Sequence, residues 1–212
     1  LIPSAYNCDS YPPHILVPPS LANTDETTWG QIFSSRRRCR VPALVWQKIS
    51  TDKHRGCLFI SATTTTSANN QSAPKCMIEQ HIEAVEQCKR LFKLTLVDDS
   101  TSSDNAESPR TTGTSLRSIS YLRSITSSLC SRLQQQTKCA PKYQTKDHYR
   151  TIVQQSKWLR YVRQVLLLCN ICCTQLQDEQ VWVLVEGQNG WDRTLLISSL
   201  TMLMSDPHYR SL

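Results

Sequence analysis

The amino-acid sequence predicts an α/β domain in which a central, mostly parallel sheet is flanked by helices. Short apolar runs of strand length alternate with longer segments whose apolar residues recur at three- and four-residue steps, as in amphipathic helices. The run VWVLV at 181–185 is apolar on both faces, which is typical of a central strand in a parallel sheet. With 212 residues, 39% of them hydrophobic, the chain is long enough for one domain with its own core.

The N-terminal part of the chain contains three short apolar runs that predict strands: HILVPPS at 14–20, VPALVWQ at 41–47 and CLFISA at 57–62. Prolines punctuate the first two runs, so these strands are expected to be short. The polar stretch SATTTTSANNQSAP, Ser61 to Pro74, predicts a flexible loop.

Two helices and a strand are predicted in the middle of the chain. The first helix runs from about Met77 to Phe92, and the run LTLV at 94–97 predicts a short buried strand after it. The stretch Asp98 to Ser115 has almost no apolar residue and predicts a disordered insertion. The second amphipathic helix is marked by Leu116, Ile119, Leu122, Ile125, Leu129 and Leu133.

A long helix is predicted from about Ile152 to Leu176, after a polar connector at 134–150. Trp158, near its start, is expected to anchor it in the core. The predicted apolar face of this helix carries Leu159, Val162, Leu166, Cys169 and Cys173.

The last predicted elements are the strand at 181–185 and a helix from about Asp192 to Met204. Pro207 is expected to stop this helix, because proline cannot continue one. The segment LLISSLTMLM at 195–204 is apolar almost all round, so the helix is expected to be buried.

Ten cysteines are scattered along the chain, and Cys169 and Cys172 are the one pair at Cys-x-x-Cys spacing. Both lie in a predicted apolar helix, where a thiol behaves as a small hydrophobic side chain. No second pair follows at zinc-finger spacing, so neither a metal site nor a cofactor is expected. The pattern indicates reduced thiols and a cytosolic compartment.

The formal net charge of +7 favours acidic partners. The densest basic run is RRRCR, Arg36 to Arg40. One interpretation is a solvated loop, or guanidinium groups paired with local carboxylates. The other is contact with a phosphorylated headgroup or a membrane surface. Aromatic residues are not interleaved with the basic ones as base stacking would require, which disfavours nucleic acid as a partner.

The segment VEGQNGWDRT at 185–194 joins the last predicted strand to the last helix. A strand that turns directly into a helix points backbone N–H groups and the helix dipole at one spot, which favours an anion. Gly187 and Gly190 permit close approach of the backbone, and Arg193 offers a planar, bidentate donor to phosphate. The candidate phosphate-binding residues are therefore Arg193, Gly190 and Gln188.

Two residues of this segment have a structural interpretation that stays open beside the functional one. Arg193 could serve to pair with Asp192 or with a loop carbonyl and so hold the turn. Trp191 is expected to pack as an anchor between the loop and the helix.

Cysteine-dependent phosphatases use this arrangement with a thiolate six positions before the arginine, where loop amides and the helix dipole depress the pKa of the thiol. In this chain that position is Gly187. No Cys, Ser, His or Lys in the turn offers a nucleophile or base in its place.

The residues GQNGWDRT, continued by SLTMLMSDPHYRSL, resemble the signature loop and following helix of the myotubularin phosphoinositide 3-phosphatases. SKWLRYVRQVL is similar to the family's helix before the signature strand, and YNCDSYPPHILVPPS with RCRVPALVW adds weaker similarity near the start. The resemblance implies a cysteine-dependent phosphatase-like fold over 1–212, as part of the full domain. The stretches 61–74 and 98–115 match nothing in the family pattern.

The chain departs from this family at the reactive positions. Active members read His-Cys-Ser-Asp-Gly-Trp-Asp-Arg-Thr, whereas this chain reads Glu186, Gly187, Gln188, Asn189, Gly190, Trp191, Asp192, Arg193 and Thr194. Gly187 stands at the nucleophile position, and Glu186 replaces the histidine. Asp192 and Arg193 match the family's general acid and phosphate-binding arginine. Glu186 is also expected to stand at the mouth of the anion site and to repel phosphate.

The resemblance is to the catalytically inactive branch, whose members act as adapters that bind and regulate active relatives. We therefore expect no catalytic residues, hetero-oligomer formation with an active myotubularin-family phosphatase, and a cytoplasmic location peripheral to membranes. Phosphoinositide headgroups are further candidate ligands. Two alternatives stay open: a phosphoinositide-binding module without a phosphatase partner, and a residual phosphatase in which Asp192 activates water.

The sequence shows neither a signal-peptide pattern nor an apolar run of about 20 residues that could span a bilayer. It begins at Leu1 without an initiator methionine. We therefore expect a segment of a longer cytosolic protein. The resemblance implies a lipid-binding domain on its N-terminal side and a coiled coil on its C-terminal side.

Overall fold

The computed structural model describes residues 25–34, 36, 40–48, 56–63, 90–97, 111–138, 146–177 and 181–211. The predicted strand at 14–20 lies outside these ranges. The elements in chain order are α1 (Glu26–Ser34), β1 (Ala43–Gln47), β2 (Cys57–Ala62), β3 (Arg90–Val97), β4 (Thr111–Ser115), α2 (Ile119–Thr137), α3 (Lys146–Gln155), α4 (Trp158–Gln177), β5 (Val181–Gly187), α5 (Asp192–Ser205) and a 3-10 helix (Pro207–Arg210).

The strands form one sheet in the order β1-β2-β5-β3-β4. β1 is antiparallel to β2, and the other neighbouring pairs are parallel. β5 is the central strand, with Val185 opposite Ile60 of β2 on one side and Leu94 of β3 on the other. The predicted α/β class, the mostly parallel sheet and the central position of this strand are confirmed.

The main core lies between one face of the sheet and the helices α2, α4 and α5. Val181, Val183 and Val185 project onto this layer from β5, because successive side chains of a strand point to opposite faces. They meet Leu168 of α4 and Ile197 of α5, which are buried in the same cluster. Burial of each such aliphatic side chain contributes about 1.5–3 kcal/mol to stability.

Thiol groups of α4 help it to pack closely against α5. The Sγ of Cys169 lies 3.7 Å from the carbonyl oxygen of Ile197, and the Sγ of Cys173 lies 3.7 Å from that of Thr201. Burial raises the pKa of Cys169 to about 11 and that of Cys172 to about 12, so both thiols stay protonated at neutral pH. The prediction that the Cys-x-x-Cys pair packs as small hydrophobic side chains is confirmed.

Two boundary predictions around β3 are wrong where the structure describes them. Arg90–Val97 form β3, so the predicted helix does not extend over residues 90–92 and the predicted strand begins at Arg90 rather than at Leu94; residues 77–89 lie outside the described ranges. Residues 90–96 pair with the central strand β5. This pairing outweighs the helical preference that the spacing of the apolar residues had indicated.

Both predicted insertions contain strand residues. Ser61 and Ala62 complete β2, and Thr111–Ser115 form β4, parallel to β3. Threonine is β-branched and favours strands, and an edge strand gains backbone hydrogen bonds without needing a buried apolar side chain. The remainder of 61–74 after Thr63 and of 98–115 before Thr111 lies outside the described residues.

The long predicted helix is two helices. α3 ends at Gln155 and α4 begins at Trp158, because Lys157 takes a left-handed conformation with φ of 61°. The Oγ of Ser156 accepts a hydrogen bond of 3.2 Å from the backbone N–H of Trp158 and so caps α4. The polar connector predicted at 134–150 is therefore partly helical, since its first residues continue α2 and its last belong to α3.

The predicted apolar face of α4 is displaced around the helix. Leu159 and Leu166 are 51% and 47% exposed. The buried face carries Tyr161, Val165, Leu168, Cys169, Cys172 and Leu176. Residues 165–169 are apolar on every side, so their spacing could not decide which side faces the sheet.

α5 is less buried than its composition predicts. Ile197, Ser198 and Thr201 are buried, whereas Leu195 and Met204 are each 41% exposed. Small hydroxyl side chains on the buried side allow α5 to approach α4 closely. Within the described ranges, no helix is long and apolar enough to cross a membrane.

Two neighbouring leucines of α4 test this orientation. Leu168→Ala is expected to lower the free energy of unfolding by about 2–5 kcal/mol, because it opens a cavity in the core. Leu166→Ala is the matched control and should cost less than about 1 kcal/mol, since its side chain is half exposed. Urea denaturation of both variants measures the difference. Equal losses would show that α4 is rotated relative to the structure described.

Candidate functional site

The candidate site is the turn between β5 and α5, at the carboxyl end of the central strand. The backbone N–H of Gly190 donates to the carbonyl of Gly187 at 3.0 Å, and that of Thr194 donates to Trp191 at 2.8 Å. Gly190 has φ of 56°, and Asp192, the first residue of α5, has φ of 20°. The turn therefore contains one glycine and one non-glycine residue in the left-handed region.

Gly190 packs directly on the backbone of β2. A Cβ at this position would lie 2.6 Å from the backbone nitrogen of Ala62 and 2.8 Å from the carbonyl carbon of Ser61. Thr63, the residue after β2, also bonds to the start of the turn, because its N–H donates to the carbonyl of Gly187 at 3.0 Å. Both the positive φ and the close approach require glycine at 190.

The turn encloses a small cavity of about 110 Å³ lined by Ser118 and residues 187–194. The three candidate phosphate-binding residues, Arg193, Gly190 and Gln188, all line it. Their contact with phosphate stays a prediction. The structure brings these three residues together at the N-terminus of α5, a helix of 14 residues.

Arg193 is buried, with 7% of its surface exposed. Its Nη1 donates a 2.6 Å hydrogen bond to the carbonyl of Leu116, which precedes α2. The hydroxyl of Tyr161 donates to the next carbonyl, that of Arg117, at 3.0 Å. Arg193 thus contacts a carbonyl, as the structural interpretation required, but one that lies outside the loop. Tyr161 is a supporting residue that the sequence did not single out, and burial raises its pKa.

The side chain of Thr194 occupies the space that a side chain at position 187 would need. A Cβ on Gly187 would lie 2.5 Å from the Oγ1 of Thr194. Thr194 is fully buried, and its hydroxyl has no hydrogen-bond partner among the described residues. A side chain at position 187 therefore requires Thr194 to rotate.

The expectation that Glu186 stands at the mouth of the anion site is wrong. Glu186 is 2% exposed and does not line the cavity. Its Oε1 pairs with the Nη1 of Arg36, and its Oε2 lies 3.0 Å from the Nζ of Lys93. Side chains alternate along β5, so Glu186 points to the sheet face opposite that of Gly187. Two cations compensate its charge, and removal of one partner from such a buried pair costs about 3–5 kcal/mol.

The basic run at 36–40 is not a solvated loop at either end. Arg36 is 1% exposed and Arg40 is 5% exposed. Arg36 pairs with a carboxylate, but with one 150 positions away rather than a local one. Residues 37–39 lie outside the described ranges. One feature of the sequence indicates that Glu186 has a cationic partner: a glutamate at the end of a buried strand needs a cation beside it.

Trp191 is not the packing anchor expected between loop and helix. It is 47% exposed, and the guanidinium carbon of Arg40 lies 5.0 Å from the centroid of its ring. Arg40 also donates through Nη1 to the carbonyl of Asn189. The exposed tryptophan therefore has a cation–π contact over the face of its ring.

The sheet, the turn at the carboxyl end of its central strand and the arginine in the first turn of the next helix define a domain built like the cysteine-dependent phosphatases. The model of the myotubularin-like phosphatase domain matches residues 3–212. The chain therefore belongs to the myotubularin-related family.

Two of the three relatives compared below carry phosphatase names. The chain is 25% identical to phosphatidylinositol-3,5-bisphosphate 3-phosphatase MTMR8 of Gallus gallus, over 96% of this chain and 33% of the relative. It is 25% identical to phosphatidylinositol-3-phosphate phosphatase MTMR7 of Homo sapiens, over 97% and 31%. It is 20% identical to myotubularin of Xenopus laevis, over 97% and 34%. The chain thus spans about a third of the length of these curated relatives.

Substitution of Gly190 tests the contact between the turn and β2. Gly190→Ala is expected to lower the free energy of unfolding by at least about 1–3 kcal/mol, because alanine must adopt a positive φ against the backbone of Ser61 and Ala62. Gln188→Ala is the control, since the hydrogen bond of 3.4 Å from Thr63 Oγ1 reaches its backbone carbonyl and survives the change. Thermal denaturation compares them. Equal melting temperatures would contradict the close approach.

Proposed function

We propose that this chain is a catalytically inactive myotubularin-like phosphatase domain that acts as a regulatory adapter of active phosphoinositide 3-phosphatases. The observation that carries the proposal is Gly187 at the position of the nucleophilic cysteine. Glycine has no group that could attack phosphorus, so the covalent phosphoenzyme cannot form. The proposed location is cytoplasmic and peripheral to membranes, where the lipid substrates named for its relatives are found.

The surroundings of Gly187 support inactivity. The hydroxyl of Thr194 lies beside Gly187, but Thr194 is fully buried and this hydroxyl has no hydrogen-bond partner among the described residues. Asp192 and Arg193 match the family's general acid and arginine, yet an acid and an anion-binding group do not replace a nucleophile. Arg193 is moreover engaged with the carbonyl of Leu116.

The preserved fold supports the adapter role. The turn keeps a glycine at positive φ and packs on β2 although the reactive group is absent. A loop that has lost its chemistry but keeps its shape fits a domain selected for its surface. Binding of an active family member as a hetero-oligomer is the proposed use of that surface.

A second candidate function is phosphoinositide binding without a phosphatase partner. The observation that favours it is the cavity at the N-terminus of α5, which is lined by Ser118 and by residues 187–194, including Arg193. Binding of a soluble 3-phosphoinositide headgroup by the purified protein, measured by calorimetry, separates this function from the first.

The adapter role is tested by co-purification. The intact, tagged protein is expected to bring down an active myotubularin from cells, and the associated 3-phosphatase activity should be lost when the partner's catalytic cysteine is replaced. A variant with Leu168→Ala, which damages the core, is the control for folding. Capture of this protein with no active relative would contradict the adapter proposal.

Inactivity is tested with phosphatidylinositol 3-phosphate and the 3,5-bisphosphate. The purified protein is expected to release no phosphate from either. Arg193→Ala serves as the control: turnover that survives this change comes from a contaminant, whereas turnover abolished by it would overturn the proposed inactivity.

Reinstating the thiol alone is not expected to restore turnover. Gly187→Cys places a Cβ 2.5 Å from the Thr194 hydroxyl, which must rotate away, and Gln188 and Asn189 still differ from active members. We therefore expect measurable phosphate release only when Gln188→Ser and Asn189→Asp accompany Gly187→Cys. Release by the single variant at the level of the triple variant would contradict this account.

Adding Glu186→His to that triple variant is expected to lower the melting temperature. The imidazole would lack the negative charge that now compensates Arg36 and Lys93. Thermal denaturation of the triple and quadruple variants compares them, and a higher melting temperature of the quadruple variant would show that the carboxylate is dispensable.

A further inference from the structure

The turn at 187–194 holds two unfavourable features. Asp192 has φ of 20°, a positive value that residues other than glycine adopt uncommonly. The hydroxyl of Thr194 is buried without a described partner, which costs free energy. Local strain of this kind persists only where the surrounding structure determines the conformation.

One fixed point beside the turn is Arg40. Its own backbone is tied to β2, because its carbonyl accepts from the N–H of Ala62 at 3.0 Å and from the Oγ of Ser61 at 3.1 Å. Its side chain then crosses to the turn, donates to the carbonyl of Asn189 and covers the ring of Trp191 at 5.0 Å. Arg40 thus connects the end of β2 to the apex of the turn.

The other fixed point is Arg36, at the start of the turn. Its Nη1 donates to the carbonyl of Ala62 at 2.7 Å and pairs with the carboxylate of Glu186. Ala62 and Gly187 are themselves paired across β2 and β5. Arg36 therefore joins the last residue of β2 to the residue just before Gly187, and Lys93 of β3 completes the charge balance.

We propose that Arg36 and Arg40 form an arginine clamp that holds the turn at 187–194 in its phosphatase-like shape without a bound ligand. Arg36 fixes the entry of the turn through Glu186, and Arg40 fixes its apex through Asn189 and Trp191. Neither arginine lines the cavity, so both act by positioning the turn. The clamp goes beyond the adapter proposal, since it concerns the free protein.

The clamp has a consequence for the surface that the protein presents. Trp191 is half exposed, and its ring orientation is set by the guanidinium of Arg40. A tryptophan held in one orientation loses less conformational freedom when it binds. The turn is therefore a preformed surface whose shape depends on buried charges.

Hydrogen exchange of the intact protein, resolved by mass spectrometry for peptides covering 187–194, tests the clamp. Arg40→Met is expected to accelerate exchange of these peptides at least about tenfold while leaving exchange in α4 unchanged. Arg163→Met is the matched control, because Arg163 is an exposed arginine of α4, and it should change neither region. Unchanged exchange at 187–194 in Arg40→Met would overturn the role of Arg40.

A paired replacement separates clamping from general stability. Arg36→Met alone should lower the melting temperature, because Glu186 loses a buried counter-charge. Arg36→Met with Glu186→Leu should recover most of that loss, since both buried charges are gone, yet exchange at 187–194 should remain at least about tenfold faster than in the original protein. Slow exchange in this double variant would overturn the role of Arg36. If the double variant does not fold, the Arg40→Met measurement decides the proposal.

Neither readout requires a partner or a lipid. If no active relative co-purifies, but both hydrogen-exchange measurements give the results expected for the clamp, only the adapter proposal is contradicted. Failure of both exchange measurements would count against the clamp and leave the adapter proposal in place.

Discussion

Burial of β5 between β2 and β3 is the constraint on which the site depends. A central strand of a parallel sheet is covered on both faces, so every side chain it carries must be apolar or compensated. Glu186 near its end is therefore paired with Arg36 and Lys93. β5 ends at Gly187, opposite Ala62 of β2 and Leu96 of β3, and the turn into α5 begins there.

Shape and chemistry have separate origins in this turn. Its shape comes from backbone contacts with β2, from Gly190 and from the arginines beside it. Its chemistry, in the active relatives that the resemblance describes, comes from a thiol that Gly187 lacks. Loss of one side chain can remove catalysis without disturbing any of the contacts that hold the turn. This separation makes it physically reasonable for a phosphatase-like domain to persist as a binding protein.

The buried arginines bond to groups that are distant in the sequence rather than to neighbouring residues. Arg36, Arg40 and Arg193 are all nearly buried, and each donates to a carbonyl or a carboxylate near the carboxyl end of the sheet. These guanidinium groups are used to join separate segments. A positive net charge is consequently a poor guide to how much basic surface faces a ligand.

The sequence by itself determined the α/β class, the central strand and the position of the turn, because apolar periodicity and a local motif need only neighbouring residues. It did not determine that 111–115 pair as a strand, that Leu166 faces outward while Leu168 faces the core, or that α4 begins only after Lys157. Those outcomes depend on competition between segments for one sheet face. The partners of Glu186 and Arg40 were likewise decided by tertiary structure alone. Arg36 lies 150 positions from Glu186, and Arg40 lies 149 positions from Asn189, so these groups meet only when the sheet has formed.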